Sequence, residues 1–552
     1  MPRLDYFAPG VYIEEIDRGS RPIEGVQTNI AGFIGFTEAI RGGAEIGKPM
    51  LVTTWNQYLE YFGKENSDGF TDFNAYLPFA VHGWFLNGGA RCWVVSIGTC
   101  LPKPASDTTQ PGPESNAIAI KTTGRRESLQ FALKPEEAEN GSVTVEIIPS
   151  EPKHIPEDPN VPAPIPAEFF TVVIKREGQE LERHPHLTMD RNVQPEVGDY
   201  IVTKLQEQSQ YLTITDLTQR GLPLARRPMD GQYEVSPPPV LPTQENLARY
   251  VQGVRDDRSG IQGLFEIDEI TIVACPDLML AYREGLIDQD QLHGLMELMI
   301  SLCENAAPNP PNRMVVLDTP HDCVKPQHVV NWLDNEFNRR SMFGALYYPW
   351  LKVANPRNAG KPIYVPPSGY MMGVWLRTDE TRGVYKAPAN ETPRGVIGLA
   401  YDCNFREQEL LNPRGINCVR TFPNRGIKIW GARTLVEPEK TEWRYISVRR
   451  LISYIEKSIE LGTQWVVFEP NDQDLWARVR RTVSNFLERL WREGALFGAT
   501  PSQAFYVKCD ETLNTPDTMI LGRLYVEVGV CPVRPAEFVI FRISQWNGQD
   551  EE

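Results

Sequence analysis

The side chains best suited to metal binding cluster in one short segment of this 552-residue chain. Glu182, His184 and His186 lie close together there, and carboxylate with imidazole is a ligand set that suits Zn²⁺. One short cluster in a proline-rich region does not define a coordination geometry. We therefore favour a solvated loop over a metal site, and we predict neither a metal nor a cofactor.

Two aspartates, Asp277 and Asp318, lie where an α/β enzyme keeps its catalytic groups. Each ends a predicted parallel strand, at the edge where open α/β sheets bind ligands. With a histidine such as His321 they would form a hydrolase site, provided that the three groups converge in one pocket. We favour the alternative, in which each aspartate caps a following helix or turn. Cys275, within a strand, is expected to be a buried and inert thiol.

Sequence motifs of cofactor and nucleophile sites are missing from the chain. GxGxxG, GxxxxGK[ST], GxSxG and HExxH do not occur, and these are patterns that place phosphate, nucleophile or zinc chemistry on a fold. Each absence is modest evidence. Together they favour a protein that is not an enzyme.

Composition and charge exclude further classes of protein. The length corresponds to roughly three or four domains, and 41% apolar with 23% charged residues is typical of a globular protein. A formal charge of −16 argues against nucleic-acid binding by the chain as a whole. We find no stretch of about 20 apolar residues that would span a membrane and no secretory signal. Nine scattered cysteines without a CxxC predict reduced thiols in a cytosolic compartment.

The elements that would position these groups follow an α/β pattern with one interruption. Predicted strands and helices alternate over residues 28–98 and again from about residue 246, which indicates a mostly parallel sheet covered on both faces. Residues 101–242 contain 20 of the 46 prolines and predict a small β-rich domain, with strands at 142–148 and 169–175. Residues 352–424 are predicted to form long ordered loops around a helix.

The sequence pattern of the C-terminal part of the chain predicts a separate α+β unit. Helices are predicted at 447–461 and 474–492, the second with Asn471 as N-cap, and strands at 465–468 and 520–530. Four arginines of the second helix fall within about 80° of one another, away from its apolar face. We call Arg478, Arg481, Arg489 and Arg492 the arginine stripe. It is either a solvated face or a docking surface for an acidic partner, and both interpretations stay open.

Two further predicted strands, one near each end, have no hairpin partner beside them. The first contains Val11, Tyr12, Ile13, Glu14 and Ile16, followed by a connector at 17–25, and the second contains Phe538, Val539, Ile540, Phe541 and Ile543. Unpaired backbone groups must find partners, either within the chain or by strand addition to a neighbour. One such arm would hold weakly, at about 1 kcal/mol per hydrogen bond. Two arms on every subunit would make a mesh of many weak links.

Several segments carry a recognisable family pattern. They are PGVYIEEI at 9–16 with SRPI at 20–23, GGARCWVV at 88–95, ALYYPW at 345–350, VPPSGY at 365–370 continuing through RTD at 377–379 to RGVYKAPAN at 382–390, NRGI at 424–427, WGARTL at 430–435 and YISVRRL at 445–451. In these segments the sequence resembles contractile tail sheath proteins. The resemblance covers nearly the whole chain except 101–242, where such proteins differ in inserted domains. A subtilisin-type protease pattern is not matched.

The resemblance implies an α/β multidomain fold. Its parts would be an N-terminal arm and tether (1–25), a central subtilisin-like α/β domain (26–100 and 243–425), an outward-facing inserted β domain (101–242), a C-terminal α+β domain (426–532) completed by strands from neighbouring subunits, and a C-terminal arm (533–552). The arginine stripe is the expected contact with an inner tube.

The implied function is mechanical. Such sheaths stack as hexameric rings around a rigid inner tube, assemble in an extended metastable state and contract to drive the tube through a target envelope. The implied partners are further copies of the chain, an inner tube protein, and baseplate and tail terminator or cap proteins, without nucleic acid or direct membrane insertion. Assembly is expected in the cytoplasm, with any membrane attachment made through the baseplate. A receptor- or carbohydrate-binding role for residues 101–242 is the alternative, beside the hydrolase described above.

Overall fold

The computed structural model describes residues 23–26, 30–102, 118–122, 124, 126–134, 143–155, 164–176, 178–218, 221–235, 244–305, 313–358 and 360–542. The chain divides into two compact units. One unit comprises Met1–Lys103 and Pro242–Glu552, and the other, Pro104–Leu241, is inserted within it.

The first segment of the larger unit begins the central sheet. It contains β1 (Ala31–Gly35), β2 (Pro49–Val52), α1 (Trp55–Phe62), α2 (Tyr76–Leu86) and β3 (Cys92–Ser96). The α1 helix starts where the Thr54 side chain accepts a hydrogen bond from the Gln57 N–H, as an N-cap residue does. The α2 helix is apolar on nearly all sides and almost wholly buried, which is typical of a helix inside a large core.

The inserted unit is rich in β-structure. Its elements are β4 (Ile118–Lys121), β5 (Glu127–Leu133), β6 (Val143–Pro149), β7 (Phe170–Arg176), β8 (Gln179–Thr188), β9 (Asp199–Tyr200), α3 (Ile201–Gln208), β10 (Leu212–Asp216), α4 (Pro223–Arg226) and β11 (Gly231–Val235). They form a three-stranded sheet, β10-β5-β4, and a five-stranded sheet, β11-β6-β7-β8-β9. Buried and half-buried side chains alternate along β6, because one face of the strand lies on a core and the other does not.

The chain then returns to the larger unit. The next elements are α5 (Leu247–Gln252), α6 (Gly260–Phe265), β12 (Ile272–Ala274), α7 (Asp277–Arg283), α8 (Gln289–Glu304), β13 (Met314–Asp318), α9 (Pro326–Asn331), β14 (Gly344–Tyr348), β15 (Leu351–Ala354), β16 (Pro362–Val365), α10 (Ser368–Arg382), β17 (Val396–Leu399), α11 (Phe405–Leu411), β18 (Ile416–Phe422) and β19 (Gly426–Ile429). A π-helical turn, Trp332–Phe337, extends α9.

The central sheet has eight strands in the order β19-β18-β14-β13-β12-β1-β3-β2. Neighbours from β18 to β3 run parallel, and the edge strands β19 and β2 run antiparallel. Every residue of β13 and β14 is buried, because helices cover both faces of a parallel sheet. The alternating sequence pattern therefore predicted the architecture of this part of the chain correctly.

The loops predicted for residues 352–424 are wrong in part. This region contains a second small sheet, in the order β16-β15-β17, together with α10 and α11. Short strands separated by glycine and proline have too few residues for a period-2 pattern to stand out, so these strands have no clear signature in the sequence.

The C-terminal domain contains α12 (Ile446–Gly462), α13 (Gln473–Arg492), α14 (Pro501–Ala504), β20 (Phe505–Lys508), α15 (Pro516–Ile520) and β21 (Glu527–Val530). The predicted strand at 465–468 is wrong, since Gln464–Val466 is a 3₁₀ turn. The strand predicted at 520–530 is confined to β21. The N-cap of α13 is Asp472 rather than Asn471, and its side chain accepts from the Leu475 N–H at 2.8 Å.

A buried ion pair joins the C-terminal domain to the central domain. Arg450 on α12 pairs with Asp379 on α10, with one contact of 2.9 Å, and both side chains are 5% exposed. The Arg450 guanidinium also lies 5.2 Å from the Trp375 ring. Removing one member of a buried pair typically costs about 3–5 kcal/mol, because the other charge is left without a partner. The pair therefore couples the two domains within one subunit.

Among the helices of the described residues, none is both long and apolar enough to cross a membrane.

Candidate assembly surface

Asp277 serves a structural role at the carboxyl edge of the central sheet. Its carboxylate accepts hydrogen bonds from the backbone N–H groups of Phe36 at 2.7 Å, Tyr76 at 2.6 Å and Leu77 at 3.3 Å. It thereby caps α2, a helix nearly 200 residues away in sequence. Burial raises the pKa of this carboxyl to about 7, although the three N–H donors act in the opposite direction.

Asp318 plays a similar part for α10. It accepts from the Ser368 N–H at 2.9 Å, at the first residue of that helix. Burial raises its pKa to about 7, against the effect of the Ser368 hydrogen bonds. His321 is exposed and packs edge-on against Tyr282. Both aspartates cap helices, but the prediction that each caps the following helix or turn is wrong, because α2 and α10 are distant from them in sequence.

The histidine cluster of the inserted unit lies on strand β8, so the predicted solvated loop is wrong. His184 Nε2 lies 3.0 Å from a Glu182 carboxylate oxygen, whereas His186 Nδ1 lies 2.6 Å from the Glu151 carbonyl oxygen. The two rings therefore contact different partners. Within the described ranges, no group of three or more His, Cys, Asp or Glu side chains has an arrangement that would hold a metal ion. Cys275 is buried, and burial raises the pKa of its thiol.

The arginine stripe lies on the outward face of α13. Its four side chains are exposed, while Val479, Val483 and Phe486 on the same helix are buried. Arg478 stacks on Trp465 at 5.6 Å and reaches Glu469 at 3.4 Å. The helix is therefore seated by its apolar face, as its sequence predicted.

Arg489 has a second role that the sequence did not indicate. Its guanidinium donates to the backbone carbonyl of Ile23 at 2.6 Å. Ile23 is buried among apolar side chains of the C-terminal domain, and the Val26 N–H donates to Ser458 at 3.3 Å. The predicted connector at 17–25 therefore does not run freely to residue 25, because its last residues are packed on the C-terminal domain. The predicted N-terminal strand at 11–16 lies outside the described residues.

The segment after Glu537 is the largest run of exposed apolar side chains near the C-terminal domain. Phe538, Val539, Ile540 and Phe541 are 72%, 68%, 82% and 83% exposed. We call residues 538–542 the arm segment, and they form no ladder with any described strand of the same chain. Ile543, the last residue of the predicted strand, lies outside the described residues. Contiguous exposed apolar surface of this kind marks an interaction site.

Within the described residues, a small sheet of the C-terminal domain has two strands and no third strand at either edge. Strands β20 and β21 pair antiparallel over four residues each, and within the described part of the chain each has the other as its sole ladder partner. A two-stranded sheet is marginally stable alone, and its outer N–H and C=O groups can accept a further strand. Strand β20 was not predicted, although its Phe505, Tyr506 and Val507 are a short β-favouring run directly after a helical turn.

An α/β chain with an exposed apolar segment after a two-stranded sheet has the features of a subunit that assembles with other proteins. Residues 267–435 match the family model of the phage tail sheath protein central domain. Residues 439–545 match that of the phage tail sheath C-terminal domain. The chain belongs to the contractile tail sheath family.

Curated relatives and solved structures agree with this family. The tail sheath protein of Salmonella phage ViI is 28% identical over 209 residues, covering 37% of this chain and 31% of the relative. A putative prophage major tail sheath protein of Pseudomonas aeruginosa (strain UCBPP-PA14) is 26% identical over 190 residues, covering 33% and 47%. The aligned part thus spans less than half of either relative. These relatives are structural sheath proteins, and both family models describe sheath domains. This agrees with the prediction that the chain is not an enzyme.

The fold is shared over the whole chain with injection-system sheaths. A sheath complex of the extracellular contractile injection system PVC in the contracted state has a TM-score of 0.54 and 20% identity, covering 99% of both chains. A chain of the contracted anti-feeding prophage baseplate has a TM-score of 0.58 and 19% identity, covering 98% of this chain and 99% of the other. At these identities the similarity is one of fold.

Proposed function

We propose that the protein is the sheath subunit of a contractile phage tail or phage-tail-like injection particle. It polymerises as stacked hexameric rings around an inner tube and contracts from a metastable extended state, driving the tube through a target envelope. The single observation that carries this proposal is the arm segment, which has four consecutive large apolar side chains exposed and forms no ladder with a described strand of its own chain. In the assembly, the arm segment of one subunit adds a strand to the β20–β21 sheet of a neighbour.

Strand addition explains both how such a lattice holds together and how it moves. Main-chain hydrogen bonds contribute only about 1 kcal/mol each, so a single arm binds weakly and many arms bind together. Flexible links keep neighbours connected while the contacts between rigid subunit bodies change. The free energy released in contraction therefore lies in those contacts, with two alternative arrangements of the same subunits.

The arginine stripe supports a role for α13 at the inner tube. Arg481 and the other three arginines present positive charge on a chain whose net charge is −16, which would steer the face toward an acidic partner. Baseplate and terminator proteins would meet the ends of the stack. The inserted unit, whose connecting segments are rich in proline, would face outward, and assembly would occur in the cytoplasm.

The hydrolase alternative is not adopted, because Asp277 and Asp318 are used to cap α2 and α10. A receptor-binding role for the inserted unit is compatible with the sheath role of the rest of the chain, but no particular observation favours it.

The proposal is tested by electron microscopy of the purified full chain, with a variant ending at Glu537 as the matched control. We expect hollow striated tubes from the full chain and small particles from the truncated chain. Tubes of equal number and length from both proteins would overturn the proposed role of the arm segment.

A further inference from the structure

Glu537, the residue immediately before the arm segment, accepts hydrogen bonds from three side chains. The Glu537 carboxylate accepts from Arg433 Nη2 at 2.6 Å and Nε at 3.0 Å, from Asn412 Nδ2 at 2.7 Å and from the Tyr445 hydroxyl at 3.0 Å. The Glu537 and Arg433 side chains are 20% and 9% exposed. We call these four residues the Glu537 clamp.

The contacts of Arg433 explain why the clamp is rigid. Arg433 also donates to the Asn412 carbonyl at 3.1 Å, and its own N–H donates to the Asn417 side chain at 2.7 Å. The Asn412 carbonyl thus orients the Arg433 guanidinium toward Glu537, while Asn417 holds the Arg433 backbone. Burial would raise the pKa of Glu537, but the hydrogen bonds from Arg433 and Asn412 and the charge of Arg433 lower it overall. The carboxylate is therefore the favoured form at neutral pH.

The clamp is the second of two attachments on this part of the chain. Closer to β21, the Cys531 N–H donates to the Ala504 carbonyl at 2.8 Å, and the Val533 N–H donates to the Ala495 carbonyl at 3.1 Å. Beyond Val533, Glu537 contacts Asn412 and Arg433, which lie within the residues 267–435 that match the central-domain family model. The arm segment therefore begins at the junction between the domains and not at the β20–β21 sheet of its own subunit.

We infer that Glu537 is a positioning residue, which fixes the exit point of the arm segment on the central domain so that the arm is presented to a second copy of this chain. This inference rests on the proposed function. If the clamp opened, residues 534–537 would join the free segment and add about 13 Å of slack at roughly 3.3 Å per residue. A longer free segment lowers the effective concentration of the arm at its acceptor and loosens the connection between subunits.

The inference is tested first on the isolated subunit. Glu537→Gln removes the charge with almost no change in shape, and Glu180→Gln is the matched control, since Glu180 pairs with Arg183 on an exposed surface of the inserted unit. We expect chymotrypsin to cleave after Phe538 about tenfold faster in the Glu537 variant, because a protease acts on locally released backbone. Cleavage elsewhere and the melting temperature should match the control. Equal cleavage rates after Phe538 in both variants would overturn the inference.

The second measurement is the protein concentration at which half of the chain sediments as tubes. Glu537→Gln should raise it about tenfold, and Tyr445→Phe, which removes one hydroxyl donor, should raise it less. If the chain ending at Glu537 fails to assemble while Glu537→Gln assembles normally, the clamp has no positioning role and the arm segment keeps its proposed function. If the truncated chain assembles normally, the proposed function of the arm segment fails as well.

Discussion

The apolar side chains of the arm segment should contribute to assembly and not to the fold of the subunit. The double substitution Val539→Ala with Phe541→Ala tests this prediction. The two residues would lie on the same face of an added strand. In the isolated subunit these side chains are 68% and 83% exposed. Their truncation should therefore change the free energy of unfolding by no more than about 0.5 kcal/mol.

In the assembled state the same substitution removes buried surface. Truncating Val539 and Phe541 to alanine should remove about 3 kcal/mol of binding free energy if both side chains are half to fully buried in a neighbour. At one factor of ten per 1.4 kcal/mol, each arm contact then weakens by about 150-fold. Because every subunit would contribute an arm in the proposed assembly, the protein concentration needed for assembly should rise by a similar factor.

The assay is sedimentation of tubes over a range of protein concentrations, with melting curves measured in parallel. The matched control is Val324→Ala with Phe405→Ala, which removes the same two side-chain types from exposed positions of the central domain (49% and 68% exposed). The reasoning is refuted if the arm variant assembles at the same concentration as the control. It is also refuted if the arm variant melts well below the control, because the side chains would then belong to the fold.

Three further predictions address the connector, the stripe and the buried carboxyls. A few residues inserted after Asp17 should permit assembly but impair contraction, since slack uncouples neighbouring rings; normal contraction in electron micrographs would contradict this. Charge reversal by Arg481→Glu with Arg492→Glu should lower co-sedimentation with inner tubes at unchanged melting temperature, and full co-sedimentation would return the stripe to a solvated face. Burial raises the pKa of Asp277 and Asp318 from 3.8 to about 7. Between pH 3.8 and about pH 7 the folded chain therefore binds more protons than the unfolded chain. Stability should therefore fall as pH rises through this window, and Asn in place of either residue should reduce the difference between melting temperatures at pH 5 and pH 8; an unchanged difference would contradict the assigned burial effect.

The central sheet and the long helices could be predicted from the sequence because their signals are local. Buried parallel strands such as Met314–Asp318 are continuous apolar runs, and α13 has a strong 3.6-residue periodicity. The boundaries at α13 were less accurate, since Asn471 and Asp472 are both good N-cap residues. The choice of Asp472 depends on its hydrogen bond to Leu475.

The contacts around the candidate assembly surface could not be predicted from the sequence because they join residues that are distant in the chain. Glu537 and Arg433 are separated by 104 positions, and Arg489 and Ile23 by 466. No periodic pattern reports which charged side chain meets which carbonyl. The sequence predicted a strand without a neighbouring partner at 538–543, whereas residues 538–542 have exposed apolar side chains and form no strand within the described chain. Their pairing with a neighbouring subunit stays a prediction.

The most direct test of strand addition is a cryo-EM structure of tubes formed by the full chain, at a resolution that traces the backbone of residues 538–542. We predict that these residues form an added strand along β20 or β21 of a neighbouring subunit, with Glu537 still bound to Arg433 of its own subunit. Tubes in which residues 538–542 pair within their own subunit, or contact no neighbour, would contradict the account.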